Sequence, residues 1–329
     1  MGRRGRAAKV GALLAALAVM AAGCGGGGSS TGVGDPPAPT SATSTAPAGA
    51  VAAYRAPTTL GVLSDPDISE SSGLVASRRN PGLLWTHNDS GDGPFLYCLD
   101  ATIKSCGVWR VTGTDAFDWE DIAIGPGPEP GSGPYLYVGD IGDNIGQRDA
   151  IVVYRVPEPT VVGGTASSKP APALTARAEA LRFRYPDGPH NAEALVVHPT
   201  TGDLYVITKT PSNATVYRAT APLDPATITT LAPVGTIRLG TGALGPELVT
   251  GADISPDGRR VALATYSSGY ELELPAGADR FDVIWGAHPT PVALGPRRQG
   301  ESVAYRLDGD ALLTTSEIEP SPVQQVERG

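Results

Sequence analysis

The chain has little of what nucleophilic or transition-metal chemistry uses. Its 329 residues include three cysteines and four histidines, too few for a clustered His/Cys metal centre. No Gly-x-Ser-x-Gly elbow is visible over residues 53–329 to mark a hydrolase nucleophile, and no glycine-rich loop leads into a helix, so phosphate cradling has no signal. Amphipathic helical periodicity is missing too, which points away from helical folds. Positive charge is short: 25 Lys and Arg face 34 Asp and Glu, a net charge of −9. Four cations, Arg3, Arg4, Arg6 and Lys9, fall in the first 23 residues with no acid among them, so a chain lacking that segment is four units more negative. Such a surface disfavours nucleic acid and anionic lipid headgroups and suits metal ions and cationic or neutral ligands.

The apolar stretch from Val10 to Ala22 is too short to span a bilayer. Behind its basic head it reads as a signal peptide over residues 1–23. It ends Met20-Ala21-Ala22-Gly23-Cys24, which resembles a bacterial lipobox with Ala21 where Leu is usual. This predicts lipidation of Cys24 and attachment to the outer face of the cell membrane; cleavage elsewhere in the Ala-Gly run would leave a secreted soluble protein. Residues 24–52 are Gly, Ser, Thr, Pro and Ala with almost no bulky apolar side chain, a flexible tether. The folded domain is expected over 53–329. Within it Cys98 and Cys106 flank a short polar connection between two apparent strands, a spacing that suits a disulfide in an exported protein; two buried thiols in a hairpin are the alternative.

The body is rich in glycine and proline with many short apolar runs, an all-β composition. One run type recurs as Leu74-Val75-Ala76, Asp121-Ile122-Ala123-Ile124, Ala194-Leu195-Val196-Val197, Ala252-Asp253-Ile254 and Ser302-Val303-Ala304. Each is followed by a turn and a second, nearly continuous apolar run, and continuity implies burial on both faces of the sheet. Third and fourth strands follow in most units. Four antiparallel strands per unit, stacked into a ring, describe a β-propeller of five blades, with six as the alternative. The last unit lacks a fourth strand. The spare run Thr58 to Leu63 is expected to pair with the C-terminal strands and close the ring. Glu158 to Ala176, rich in Pro, Ala and Ser, is expected as a surface excursion of the second blade.

In such a meander the start of the first strand and the end of the second lie at one mouth of the central channel. That places Glu70, Asp118, Glu120, Asp121, Glu193, Thr250 and Glu301 beside His87, Asn88, Asp89, Asp140, Asp143, Lys209, Tyr266 and Glu317. Crowded carboxylates repel unless protonated or countered by a cation. A divalent ion answers this, and calcium accepts oxygen ligands alone. Asp89, Glu120, Asp121, Asp140 and Asp143 are the candidate metal ligands. His87, Asn88, Asp118, Glu193, Lys209, Tyr266 and Glu301 are candidate ligand contacts, and Glu120 and Asp140 the candidates for proton transfer. Structural use is the competing reading, since acids at strand starts often bind the amides of a neighbouring blade. Trp119 reads as packing between blades.

The segments Trp85-Thr86-His87-Asn88-Asp89-Ser90-Gly91, Asp118-Trp119-Glu120-Asp121-Ile122-Ala123, Tyr137-Val138-Gly139-Asp140-Ile141-Gly142-Asp143-Asn144 and Ala192-Glu193-Ala194-Leu195 resemble an uncharacterised family of exported bacterial propellers. More loosely, the chain is similar to the calcium propellers of the gluconolactonase and strictosidine-synthase-like group and to phytase-like propellers. The resemblance implies fold and export and carries no catalytic residue across. Three functions fit: a tethered monomer binding a small molecule, glycan or envelope protein at a calcium-bearing mouth; a metal-assisted hydrolase of lactones, esters or phosphoesters, less readily of glycosides; or a non-catalytic scaffold.

Overall fold

Runs such as Leu204 to Thr208 form strands because every residue in them is buried, and apolar side chains packed on both faces favour an extended, doubly covered backbone. The computed structural model describes residues 54–163, 167–211 and 213–329. The expected signal peptide, Cys24 and tether lie outside them.

Strand β1 (Thr58–Leu63) precedes five sheets. Blade 1 contains β2 (Ser71–Ala76), β3 (Leu84–Asn88), β4 (Phe95–Leu99) and β5 (Ser105–Thr112). Blade 2 contains β6 (Trp119–Pro126), β7 (Pro134–Asp140) and β8 (Ile151–Pro157), then, beyond β9 (Ala173–Arg177), β10 (Glu179–Arg184). Blade 3 contains β11 (Ala192–Val197), β12 (Leu204–Thr208) and β13 (Asn213–Ala219), then, beyond β14 (Ile228–Thr230), β15 (Ala232–Arg238). A small hairpin of β16 (Thr241–Gly242) and β17 (Gly245–Pro246) leads into blade 4, with β18 (Val249–Ile254), β19 (Arg260–Thr265), β20 (Gly269–Glu273) and β21 (Thr290–Pro291). Blade 5 contains β22 (Gly300–Tyr305), β23 (Ala311–Ser316) and β24 (Ser321–Glu327).

The innermost strands β2, β6, β11, β18 and β22 each lie against the next, and β22 returns to β2. The molecule is therefore a five-bladed propeller, and a sixth blade has no place in the ring. The core is divided among the blade interfaces. Leu195, Val206 and Tyr217 of blade 3 pack on Tyr137, Val153 and Phe183 of blade 2, while Trp119 and Ile122 of blade 2 meet Trp85 and Trp109 of blade 1. Burying such side chains contributes about 1.5–3 kcal/mol each, and this is what holds one blade to the next.

Closure follows the sequence expectation: β1 pairs antiparallel with β24 as the outer strand of blade 5. The seam is also clasped by Glu271, which accepts hydrogen bonds from Tyr54 Oη at 2.5 Å, Tyr305 Oη at 2.7 Å and Arg328 Nη1 at 3.2 Å. Cys98 and Cys106 form a disulfide between β4 and β5, with Cα atoms 5.1 Å apart.

Two expectations need correction. Blades 1 and 2 have five strands instead of four, because β9 lies parallel to β5 and β14 parallel to β10. The described residues of the segment from Glu158 to Ala176 are thus no free excursion but return onto blade 1. Its anchor is buried: the Glu158 carboxylate accepts from Ser77 Oγ, Trp85 Nε1 at 2.9 Å and Arg79 N at 2.9 Å. In blade 4 the fourth strand is only the two-residue β21. A 3-10 helix, Phe281–Gly286, covers blade 3 there by burying Ile284 and Trp285.

Candidate functional site

Each inner strand carries a β-bulge near its start. Ladder pairing skips Ser72 in β2, Glu120 in β6, Glu193 in β11, Thr250 in β18, and Glu301 with Ser302 in β22. A bulge leaves its extra residue outside the ladder and re-aims the side chain. In blades 1 and 4 that residue bonds the next blade: Ser72 Oγ donates to Glu120 O at 2.5 Å and Thr250 Oγ1 to Gly300 O at 2.8 Å. In blades 2, 3 and 5 it is glutamate, and Glu120, Glu193 and Glu301 are each 5% exposed. The charge of Glu193 acts on both other carboxyls, so the three share one space at the channel.

Asp118 stands just before β6 and Asp89 just after β3. With Glu120 they form a cluster in which one oxygen from each lies within 4.8 Å of the others. Asp89 accepts its neighbour's amide, Ser90 N, at 2.5 Å. Among the described residues, neither the Asp118 nor the Glu120 carboxylate accepts a hydrogen bond. An unpaired carboxylate as buried as that of Glu120, with half-buried Asp118 beside it, is costly. Burial pushes Asp89 up to about 6, helped by the charges of Glu317, Asp118 and Glu70. Burial also raises Asp118, and it raises Glu120 well above the carboxylate range, reinforced there by Glu193. The backbone opposite is Gly142, where a Cβ would collide with both the Glu120 and Asp118 carboxylates. The glycine leaves the cluster room.

No family model and no curated protein matches the chain. Solved structures similar to it include the β-propeller domain of Cps50 (Swd1) from Myceliophteria thermophila, at 14% identity over 79% of this chain and 96% of that chain with a TM-score of 0.41. Hydrazine synthase from Kuenenia stuttgartiensis is similar at 12% identity over 80% and 96%, also with a TM-score of 0.41.

Beside the carboxylate cluster sits one ammonium. Lys209, just past β12, pairs with Glu193 and lies 4.8 Å from the centroid of the Tyr266 ring. Burial alone would lower the Lys209 pKa, but the charges of Glu193, Tyr266 and Glu301 hold it above its ordinary value. Burial pushes Glu193 up to about 7 against the pull of Lys209. Glu301 accepts from Gln299 Nε2 at 2.9 Å, and burial followed by the charge of Glu193 raises it well above the usual range.

The remaining candidates are held by protein donors. Asp121 accepts Ile122 N at 2.8 Å, Leu195 N at 2.9 Å and Ala252 N at 3.4 Å, tying blade 2 to blades 3 and 4. Asp140 accepts Phe117 N at 3.0 Å and Asp118 N at 3.3 Å and pairs with Arg148 at 2.8 Å. Asp143 accepts Gln147 N and Arg148 N, both at 2.9 Å. The metal candidates therefore divide. Asp89 and Glu120 are brought together, joined by Asp118 in place of Asp121, Asp140 and Asp143, whose oxygens fix backbone.

Asn88 is likewise spent on its turn, accepting Glu70 N at 3.1 Å and donating to Asp67 O at 2.7 Å. His87 is fully buried edge-on to Trp119, bonded through Nδ1 to Asn88 O at 2.8 Å, and burial pushes it down to about 4. It serves as a neutral packing residue. Gln299 and Gly142 were not singled out by the sequence. The first had the signal of standing just ahead of an inner-strand glutamate, whereas the role of Gly142 depends on a contact across the chain that no local pattern carries.

Proposed function

We propose that this propeller is a binding module whose working site is the acidic mouth, with Asp89, Asp118 and Glu120 holding a divalent cation of the calcium type. One observation carries the reading: a buried carboxylate, Glu120, and a half-buried one, Asp118, neither with a donor, face a third, with a glycine keeping the space open. Oxygen ligands at about 2.4 Å from a shared calcium ion lie no more than about 4.8 Å apart, and one oxygen from each acid of this cluster lies within 4.8 Å of the others. Hard carboxylate oxygens select calcium or magnesium over softer metals, and the propeller mouth is where this architecture commonly presents a ligand site.

Calorimetric titration of the purified chain with calcium chloride tests this. One site per chain is expected, with affinity falling at least about tenfold in Glu120→Gln and Asp118→Asn, the loss of one charged ligand being worth about 1.4 kcal/mol or more. No heat from the wild-type chain, together with no metal in the purified protein, removes the cation from the account.

We further propose that the propeller acts outside the cytoplasm on a lipid tether, on the strength of the basic head, apolar core and Cys24. Cells fed radiolabelled palmitate are expected to label the wild-type protein and not Cys24→Ala. Equal labelling of both rules out that cysteine as the acceptor.

A further inference from the structure

The face that carries the acidic mouth also carries exposed apolar side chains. Phe117 precedes β6, Ile145 lies in the loop between β7 and β8, Leu244 caps the β16–β17 hairpin ahead of β18, and Ile318 lies between β23 and β24. They are 71, 76, 70 and 37% exposed. All four loops adjoin an inner-strand start or a second-strand end, so they rise around the same mouth. Single exposed apolar residues are ordinary, but several raised around one mouth mark an interaction surface.

Three of these loops are also stiffened from below. Phe117 N donates to Asp140 at 3.0 Å, and Arg148, paired with Asp140, lies 5.2 Å from the centroid of the Phe117 ring. The loop bearing Ile145 is closed at its base by Asp143, whose own N donates to Asn191 Oδ1 at 2.7 Å. The hairpin bearing Leu244 is held by Glu247 N donating to Gly240 O at 3.1 Å, while the buried Glu247 carboxylate accepts Ser268 Oγ at 2.5 Å. Three carboxylates buried at loop bases hold apolar tips in place before anything binds, and such preorganisation reduces the entropy lost on docking. Without a partner, apolar tips on rigid supports are unexplained by folding.

We infer that this face docks a polypeptide segment of a partner protein, its apolar residues seating on Phe117, Ile145, Leu244 and Ile318 and a Lys or Arg side chain entering the acidic mouth. The mouth already shows how it holds an alkylammonium: Lys209 rests between the Glu193 carboxylate and the face of Tyr266. An anionic membrane or a nucleic acid would be repelled by the same carboxylates. A small polyamine would leave the apolar collar unused. The inference deepens the reading of the mouth as a binding site and does not need the calcium ion, with which the peptide's cation would compete for the mouth carboxylates, so failure of the calorimetric titration and failure of the test below, run in chelator, are separate results.

The test is fluorescence anisotropy of the purified full chain with a labelled peptide of alternating Arg and Leu, compared with spermine as competitor and with an alternating Glu and Leu peptide. The Arg-Leu peptide is expected to bind and the Glu-Leu peptide not. Phe117→Ser combined with Leu244→Ser is expected to weaken binding at least about tenfold with an unchanged melting temperature, since both side chains are exposed. Spermine is expected to compete poorly. Absence of Arg-Leu binding, unchanged binding in the double variant, or spermine displacing the peptide at equal concentration each overturns the inference.

Discussion

Replacing Asp121 with alanine is expected to cost the fold about 4 kcal/mol, about 10 °C in melting temperature for a domain of this size. Replacing its neighbour, Glu120→Gln, is expected to leave the melting temperature in metal-free buffer unchanged or higher. The two carboxylates are adjacent in sequence and both buried, at 2 and 5% exposure, yet their surroundings are opposite. Asp121 accepts the amides of Ile122, Leu195 and Ala252, and each donor orphaned in the interior costs about 1–3 kcal/mol. Glu120 has no such donor, so removing its charge relieves desolvation and breaks nothing. Asp121→Asn should fall between, because one amide oxygen cannot serve donors that approach both carboxylate oxygens. Circular-dichroism melts of the three variants in chelator decide the matter. Equal losses at both positions would mean that Glu120 is structural and that the mouth was misread.

The contrast between these neighbours shows what was legible in the chain. Recurrence of Asp121-Ile122-Ala123-Ile124 and its counterparts disclosed the inner strands, because burial on both faces demands unbroken apolar runs and the ring repeats that demand five times. The closing strand was legible for a related reason: β1 is a surplus run, and blade 5 lacked an outer strand. Strands β9 and β14 were not legible. They lie at sheet edges beside β5 and β10, where the partner strand supplies the hydrogen bonds and little apolar pattern is required. The hairpin at Leu244 escaped notice for the same reason, being held by Glu247 and Ser268 and not by a core of its own.

At the site, the sequence disclosed the residue types and the mouth but could not divide the acids by role. Strand alternation sends Glu120 and Asp121 to opposite sides without saying which side meets solvent. The bulge at Glu120 decides it, and a bulge is a property of pairing with β7, not of the motif. Asp140 and Asp143 read as ligands because they follow a second strand. They prove to hold the turns that present Phe117, Asp118 and Ile145, so the motif from Tyr137 to Asn144 positions the site from behind. His87 and Asn88 show the same limit, polar in sequence and committed to packing and a turn in the fold.

The stabilisation that calcium gives is expected to grow with pH, from near zero at pH 5 to about 6 °C at pH 8 when free calcium is about a hundredfold above its dissociation constant. Burial raises the mouth acids in the folded chain, Glu193 to about 7 and Asp89 to about 6, with Glu120 and Glu301 well above the usual range. A carboxyl whose pKa is higher folded than unfolded binds more protons in the folded state between the two values. Its contribution is complete below the unfolded pKa near 4 and is lost as pH rises through the folded value near 6 or 7. The metal-free chain therefore loses stability at the mouth across that window, as carboxylates ionise against one another. His87, lowered to about 4, acts in the opposite direction over pH 4 to 6.5, a contribution present in both the calcium and the chelator melts. A bound divalent cation favours the ionised acids, so calcium must displace more protons at pH 5 than at pH 8. Paired melts in calcium and in chelator at each half unit of pH read this difference directly. A calcium shift that is constant from pH 5 to 8 would place the ion away from these carboxylates. A shift that grows with pH in the wild type and is flat and small in Glu120→Gln assigns it to them.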